Sequence, residues 1–168
     1  MKKIFVPFVL LIIISLSGCI KNTPATNSDS KVEMDAATWN ANSVGVTYPI
    51  LSGVPVFGAA GTGAALSRTL PTFQIRVNML GAHKSTPTTF NYRVVPGETT
   101  AIAGTHYVAL SGTGTMPANS SFGFIDIPLI NPGVSSSTPV ILVLEVLSNT
   151  IVSANANYAK VGFSISQL

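Results

Sequence analysis

The sequence predicts an all-β fold, two antiparallel sheets packed face to face with about seven strands. Three observations carry this. Runs rich in Val, Ile, Thr and aromatic residues recur between Gly, Pro, Asn and Ser. Thr72–Leu80 alternates strictly between apolar and polar residues, the period of a half-buried strand. No stretch of the mature chain carries a convincing helical period.

Taken in order, "SVGVTYPIL" (Ser43–Leu51) reads as one strand with Val44, Val46 and Tyr48 on one face. The Gly/Ala-rich stretch that follows, including residues 58–67, reads as an irregular loop around a short edge strand. "TFQIRVNML" buries Phe73, Ile75, Val77 and Met79 and wets Gln74, Arg76 and Asn78. "TFNYRVV" (Thr89–Val95) repeats the pattern with Phe90, Tyr92 and Val94, after a turn marked by Gly81 and Pro87. In "SFGFIDIPLI" the two parities compete: Phe122 and Phe124 against Ile125, Ile127 and Leu129. Either both faces are covered, or a bulge near Phe124 shifts the phase. "PVILVLEVL" (Pro139–Leu147) is apolar on both parities except Glu145, which suits a central strand under a covering layer. "YAKVGFSIS" (Tyr158–Ser166) turns Val161, Phe163 and Ile165 inward. An immunoglobulin-like sandwich accommodates this set; a jelly roll or small barrel is the alternative.

The N-terminus reads differently. Lys2 and Lys3, an apolar run over Ile4–Ile14 and "LSGC" have the layout of an export signal, shorter than a membrane span needs. Leu16 to Cys19 resemble the bacterial lipoprotein processing motif, which implies cleavage after residue 18 and acylation of Cys19. Cys19 is the only cysteine, so no intrachain disulfide is available and the core must hold the domain alone. Residues 19–31 are polar and read as a tether, with the folded domain over 32–168. Asp29, Glu33 and Asp35 lie in or beside that tether. Without Lys2 and Lys3, seven basic residues face six acidic ones, and no basic patch points to nucleic acid.

"TTAIAGTHYVAL" (Thr99–Leu110) resembles the signature of Calx-beta domains, commonly Gly-Thr-Ala, two variable residues, Gly, one variable residue, Asp-Tyr. Thr100 and Ala101 take the Thr-Ala places, Gly104 the second glycine and Tyr107 the tyrosine. Thr99 replaces the first glycine and His106 the aspartate. "FNYRVV", "FIDIPLIN" and "VILVLEVL" fall where the family has hydrophobic strands, so the similarity covers residues 89 to 165. Small Bacteroidota surface lipoproteins are similar in general look. The resemblance implies a sandwich and, in transporter members, calcium held by loop carboxylates. His106 and Asn131 stand where acidic residues are usual, so no metal site and no cofactor are expected.

Catalysis is not expected either. A Gly-x-Ser-x-Gly elbow is absent, and two histidines are too few for a metal cluster. His83 reads as a solvated turn residue. The residues singled out for ligand or partner contact are Trp39, Phe57, His106 and Tyr107. Membrane lipid through acylated Cys19 is one expected partner, and a glycan or envelope protein the other. The expected setting is the cell envelope, lipid-anchored at a bacterial outer membrane, with surface exposure and orientation left open. Three readings follow: a non-catalytic binding module, an assembly component acting through sheet edges, or a scaffold domain without a small ligand.

Overall fold

The computed structural model describes residues 29–168. The signal segment, Cys19 and most of the expected tether lie outside the described residues. Two sheets form the sandwich. One contains β1 (Lys31–Met34), β5 (Thr72–Leu80), β8 (Phe122–Pro128) and β10 (Ser153–Ala154), in the order β10-β1-β5-β8. The other contains β2 (Ile50–Leu51), β6 (Thr88–Val94), β7 (Thr113–Met116), β9 (Ser136–Leu147) and β11 (Lys160–Gln167), in the order β2-β11-β9-β6-β7. A hairpin of β3 (Gly53–Pro55) and β4 (Thr62–Ala65) stands apart from both.

The core is the space between the two large sheets. Val32, Met34, Phe73, Ile75, Val77, Met79, Ile125 and Ile127 face Phe90, Leu142, Leu144, Val161, Phe163 and Ile165, all buried. Phe73 and Phe163 meet edge-on across the gap, ring centroids 5.1 Å apart. Each such side chain contributes roughly 1.5–3 kcal/mol when fully removed from water. The alternation seen in Thr72–Leu80 and in the last strand is therefore the core itself.

Four expectations are corrected. The sheets are not purely antiparallel: β1 pairs with β10, and β11 with β2, in parallel at the outer edges. One helical turn, α1 (Asp35–Trp39), exists. Its buried Ala36 and Ala37 are good helix formers, and Asn40 Nδ2 caps it by donating to the Ala36 carbonyl at 2.8 Å. Five residues are too few to show a period. Third, Ser43–Leu51 is not one strand. Gly45 takes φ 82°, Val46 N–H turns back to the Ser43 carbonyl, and Val44 is fully exposed; only Ile50–Leu51 joins a sheet. Tyr48 instead lies under this turn with Val95 and Val143, forming the layer that covers β9 from outside.

The fourth concerns β8. Its register with β5 runs unbroken from Phe122↔Asn78 to Pro128↔Thr72, so no bulge shifts it. Gly123, Ile125 and Ile127 point inward, while Phe122 and Phe124 stay partly exposed outside. An inward Gly123 is required by space: a Cβ there would lie 2.5 Å from the Thr115 carbonyl oxygen.

Candidate functional site

His106 and Tyr107 sit in a turn stitched to both sheets. Gly104, at φ 81°, donates its N–H to the Tyr107 carbonyl, and His106 N–H reaches the Ile102 carbonyl. The Ile102 N–H donates to His106 Nδ1 at 2.9 Å. Tyr107 is buried in the main core, and burial pushes its phenol above the usual value. Val108 N–H bonds the Pro128 carbonyl, and the Thr100 and Ala101 N–H groups bond the Ile141 carbonyl. The turn is structural in all of these contacts.

The residues do not fit calcium. His106 stands at the signature aspartate and spends Nδ1 on its own turn. Asn131 Oδ1 accepts from Arg68 and from the Gly133 N–H. Asp126 accepts from Gln74, and Glu98 from Lys160 at 2.9 Å. Lys160 and Tyr48 both hydrogen-bond Glu98, holding its carboxyl below the usual range. Among the described residues no three His, Cys, Asp or Glu side chains gather to hold a metal. His83 hydrogen-bonds Ser121 Oγ at 2.6 Å on the surface.

The other two singled-out residues meet through a buried carboxylate. Asp35, 1% exposed, accepts from Arg76 at 2.6 Å, Asn78 at 2.9 Å and the indole Nε1 of Trp39 at 3.2 Å. Its second oxygen takes the Gly58 N–H at 2.9 Å. Burial alone raises its pKa, but Gly58, Asn78 and Arg76 outweigh burial and hold it below the usual value. The Arg76 guanidinium lies between the rings of Phe57 and Phe122, 5.8 and 5.4 Å from their centroids. Phe57 also packs on Phe124 at 5.4 Å. A composition-based reading placed Glu33 and Asp35 in or beside a tether. Glu33 is also buried, accepting from Asn155 at 2.7 Å.

Trp39 itself borders a cleft of about 620 Å³. Its indole is half exposed, and Tyr158, 39% exposed, stands on another wall. Backbone pairing brings them together: Met34, just before α1, donates its N–H to the Tyr158 carbonyl at 2.8 Å. Asn42, Thr47 and Asn157 supply polar groups, and among the described residues no charged side chain lines the cleft. Asn42 and Asn157 are exposed at the cleft. Tyr158 was visible in the sequence only as one aromatic among several.

No family model matches the chain, and no curated protein matches it. Solved structures do. A crystal structure of the apo-form Calx CBD1 domain matches with a TM-score of 0.54 at 14% identity, covering 82% of this chain and 96% of that one. The fold is Calx-beta-like. A crystal structure of CBD12 from CALX1.2 matches with a TM-score of 0.47 at 20% identity, over 60% of this chain and 40% of that one. The Calx CBD2 domain matches with a TM-score of 0.45 at 14% identity, over 61% and 81%. Within this sandwich Gly104 and Tyr107 occupy a turn between the sheets.

Proposed function

We propose that this chain is a lipid-anchored, non-catalytic cell-envelope module that binds neutral glycan in the Trp39–Tyr158 cleft. The observation that carries the reading is the pairing of two half-exposed aromatic rings with exposed asparagine amides in an uncharged cleft. Pyranose rings present C–H faces that pack on aromatic rings, and hydroxyls that pair with amide donors and acceptors. The uncharged lining favours neutral sugars over acidic ones. Acylation of Cys19, from the lipobox-like "LSGC", would hold the module at the membrane.

Trp39 is the sole tryptophan, so its emission reports the cleft directly. Titration with a panel of neutral oligosaccharides is expected to give a saturable emission change, abolished heat of binding in Tyr158→Ala, and no calcium dependence. No heat and no emission change with any sugar in the panel would overturn the reading. Metabolic labelling with an alkyne fatty acid tests the anchor, which Cys19→Ser should leave unlabelled.

A second reading, assembly with a neighbouring protein, draws on β4. All four of its residues are exposed and, among the described residues, it pairs only with β3. A strand with a free edge is a place for another strand to add. Concentration-dependent oligomers that vanish on Gly63→Pro would favour it.

A further inference from the structure

We propose that the outer face of β5 and β8, where Leu80, Phe122, Phe124 and Phe57 form a stripe, rests on the lipid surface that holds the acylated N-terminus. The docking rests on the acylation of Cys19 proposed above and deepens its membrane side; the glycan cleft plays no part in it.

Register builds the stripe. Strand residues alternate between faces, so Arg76, Asn78 and Leu80 of β5 point outward together. Asn78 pairs with Phe122 and Arg76 with Phe124, which sets both rings on that face. Phe57, from the β3–β4 connection, packs on Phe124 at 5.4 Å, and Phe124 meets Phe122 at 5.8 Å. The exposures of Leu80, Phe122, Phe124 and Phe57 are 42%, 43%, 38% and 38%. Large apolar side chains left in water side by side mark an interaction surface. The cation among them is already matched. Arg76 is ion-paired with Asp35 and lies between the rings of Phe57 and Phe122, so the stripe presents a neutral face. Gln74 and Asp126, hydrogen-bonded at 2.8 Å, bound it at the far end.

Where the chain leaves the fold decides what covers this face. Lys31, the first residue of β1, pairs with Leu80. A Cβ on Gly81 would lie 3.4 Å from the Asp29 carbonyl oxygen, so the exit runs beside the Leu80 end of the stripe. Ten chain steps join Asp29 to Cys19, about 35 Å at full extension. An acyl anchor at Cys19 therefore keeps the Leu80 end within that distance of the bilayer. Contact with lipid is then intramolecular in kind, and a weak intrinsic affinity suffices. Apolar side chains bury at the boundary between headgroups and acyl chains, and an exposed Lys31 at the same end suits a bilayer containing anionic lipid. Residues 20–28 carry too few apolar side chains to cover the stripe themselves.

The test uses the full chain as processed by the cell, purified from membranes. Phe122→Trp in a Trp39→Phe background makes position 122 the single emitter, and Asp35 keeps its bonds from Arg76, Asn78 and Gly58 there. The probe is a vesicle of phosphatidylethanolamine with some phosphatidylglycerol, with or without bromine on the acyl chains. Emission is expected to fall about twofold in the brominated vesicles, as suits a ring at the headgroup–acyl boundary. Native Trp39, outside the stripe, is expected to be quenched less in the parent chain. Adding Leu80→Asp, a change at an exposed side chain, is expected to remove the fall while circular dichroism stays the same. Mass spectrometry of the same sample reads the acylation of Cys19. A chain without acyl groups overturns the anchor and this docking with it; an acylated chain with unquenched emission overturns the docking alone. A blue shift that grows with protein density and ignores bromine would give the stripe to a second copy and overturn the proposal. So would undiminished quenching in the Leu80→Asp protein.

Discussion

Asp35 Oδ1 lies 2.6 Å from Arg76 Nη2, joining the first turn after β1 to the outer face of β5. The same carboxylate holds Asn78, the Gly58 N–H and the Trp39 indole, so one side chain ties α1 and the β3–β4 connection to the sandwich. Removing its charge leaves Arg76, only 20% exposed, facing a neutral amide. Asp35→Asn is expected to cost roughly 3 kcal/mol. Urea unfolding measures it, and a loss below about 0.5 kcal/mol, the scale of an ordinary surface substitution, would remove Asp35 from its central place.

The pH dependence has a definite sign. A carboxyl held below its ordinary value, about 3.9 for Asp and about 4.3 for Glu, stabilises the fold above that pH. The contribution drains away as pH falls from there through the lower folded value. Asp35 and Glu98 both act in this direction. The urea midpoint is expected to drop below about pH 4 and to drop less steeply in Asp35→Asn. At the other end, burial and the Glu98 hydrogen bond push Tyr48 up to about 12. Here the folded state keeps its proton longer, so stability is lost as pH rises from about 10 toward 12. Tyr48→Phe should therefore lessen the fall of the urea midpoint between about pH 10 and 12.

Two glycines separate space from backbone strain. A Cβ on Gly114 would lie 2.7 Å from Phe90 Cε2, with Cζ closer still, and Phe90 is fully buried. Gly114→Ala is expected to cost about 1–3 kcal/mol by overpacking. Gly104 has nothing within 4 Å but takes φ 81°. Gly104→Ala is expected to cost about 1–2 kcal/mol through conformation alone. Gly104→Asn should recover part of that loss, whereas no substitution by a residue with a side chain should rescue position 114.

On β8 the two parities are expected to behave oppositely. Ile125→Ala empties a buried site and should cost about 2–5 kcal/mol in urea. Phe122→Thr and Phe124→Thr remove partly exposed rings and should cost under about 1.5 kcal/mol each, the transfer term being partly forgone already. Equal losses on both faces would contradict the register.

That strand also marks how far sequence reading reaches. Regular strands with one dry face, such as β5 and β11, declare themselves because burial repeats every second residue. β8 misleads because large apolar residues stand on both faces, and the outer pair serves Arg76 and Phe57 instead of the core. Tyr48 misleads for a related reason: it is buried by a turn, which has no period. At the candidate sites, Trp39 and His106 stood out by rarity. Their partners did not: Tyr158 comes to Trp39 only through the pairing of Met34 with the Tyr158 carbonyl, distant in the chain, and Asp35 meets Trp39 across a single helical turn too short to show a period.

β1 has neighbours on both sides: β10 on one and β5 on the other. A tension applied to the chain ahead of Ser30 would therefore enter the sandwich along an interior strand. Peeling an edge one hydrogen bond at a time is not open to it; the load must slide two ladders at once. Trp39 follows that strand by five residues. A ligand held there and a pull from the N-terminal side would share a short, stiff path that leaves most of the fold unloaded.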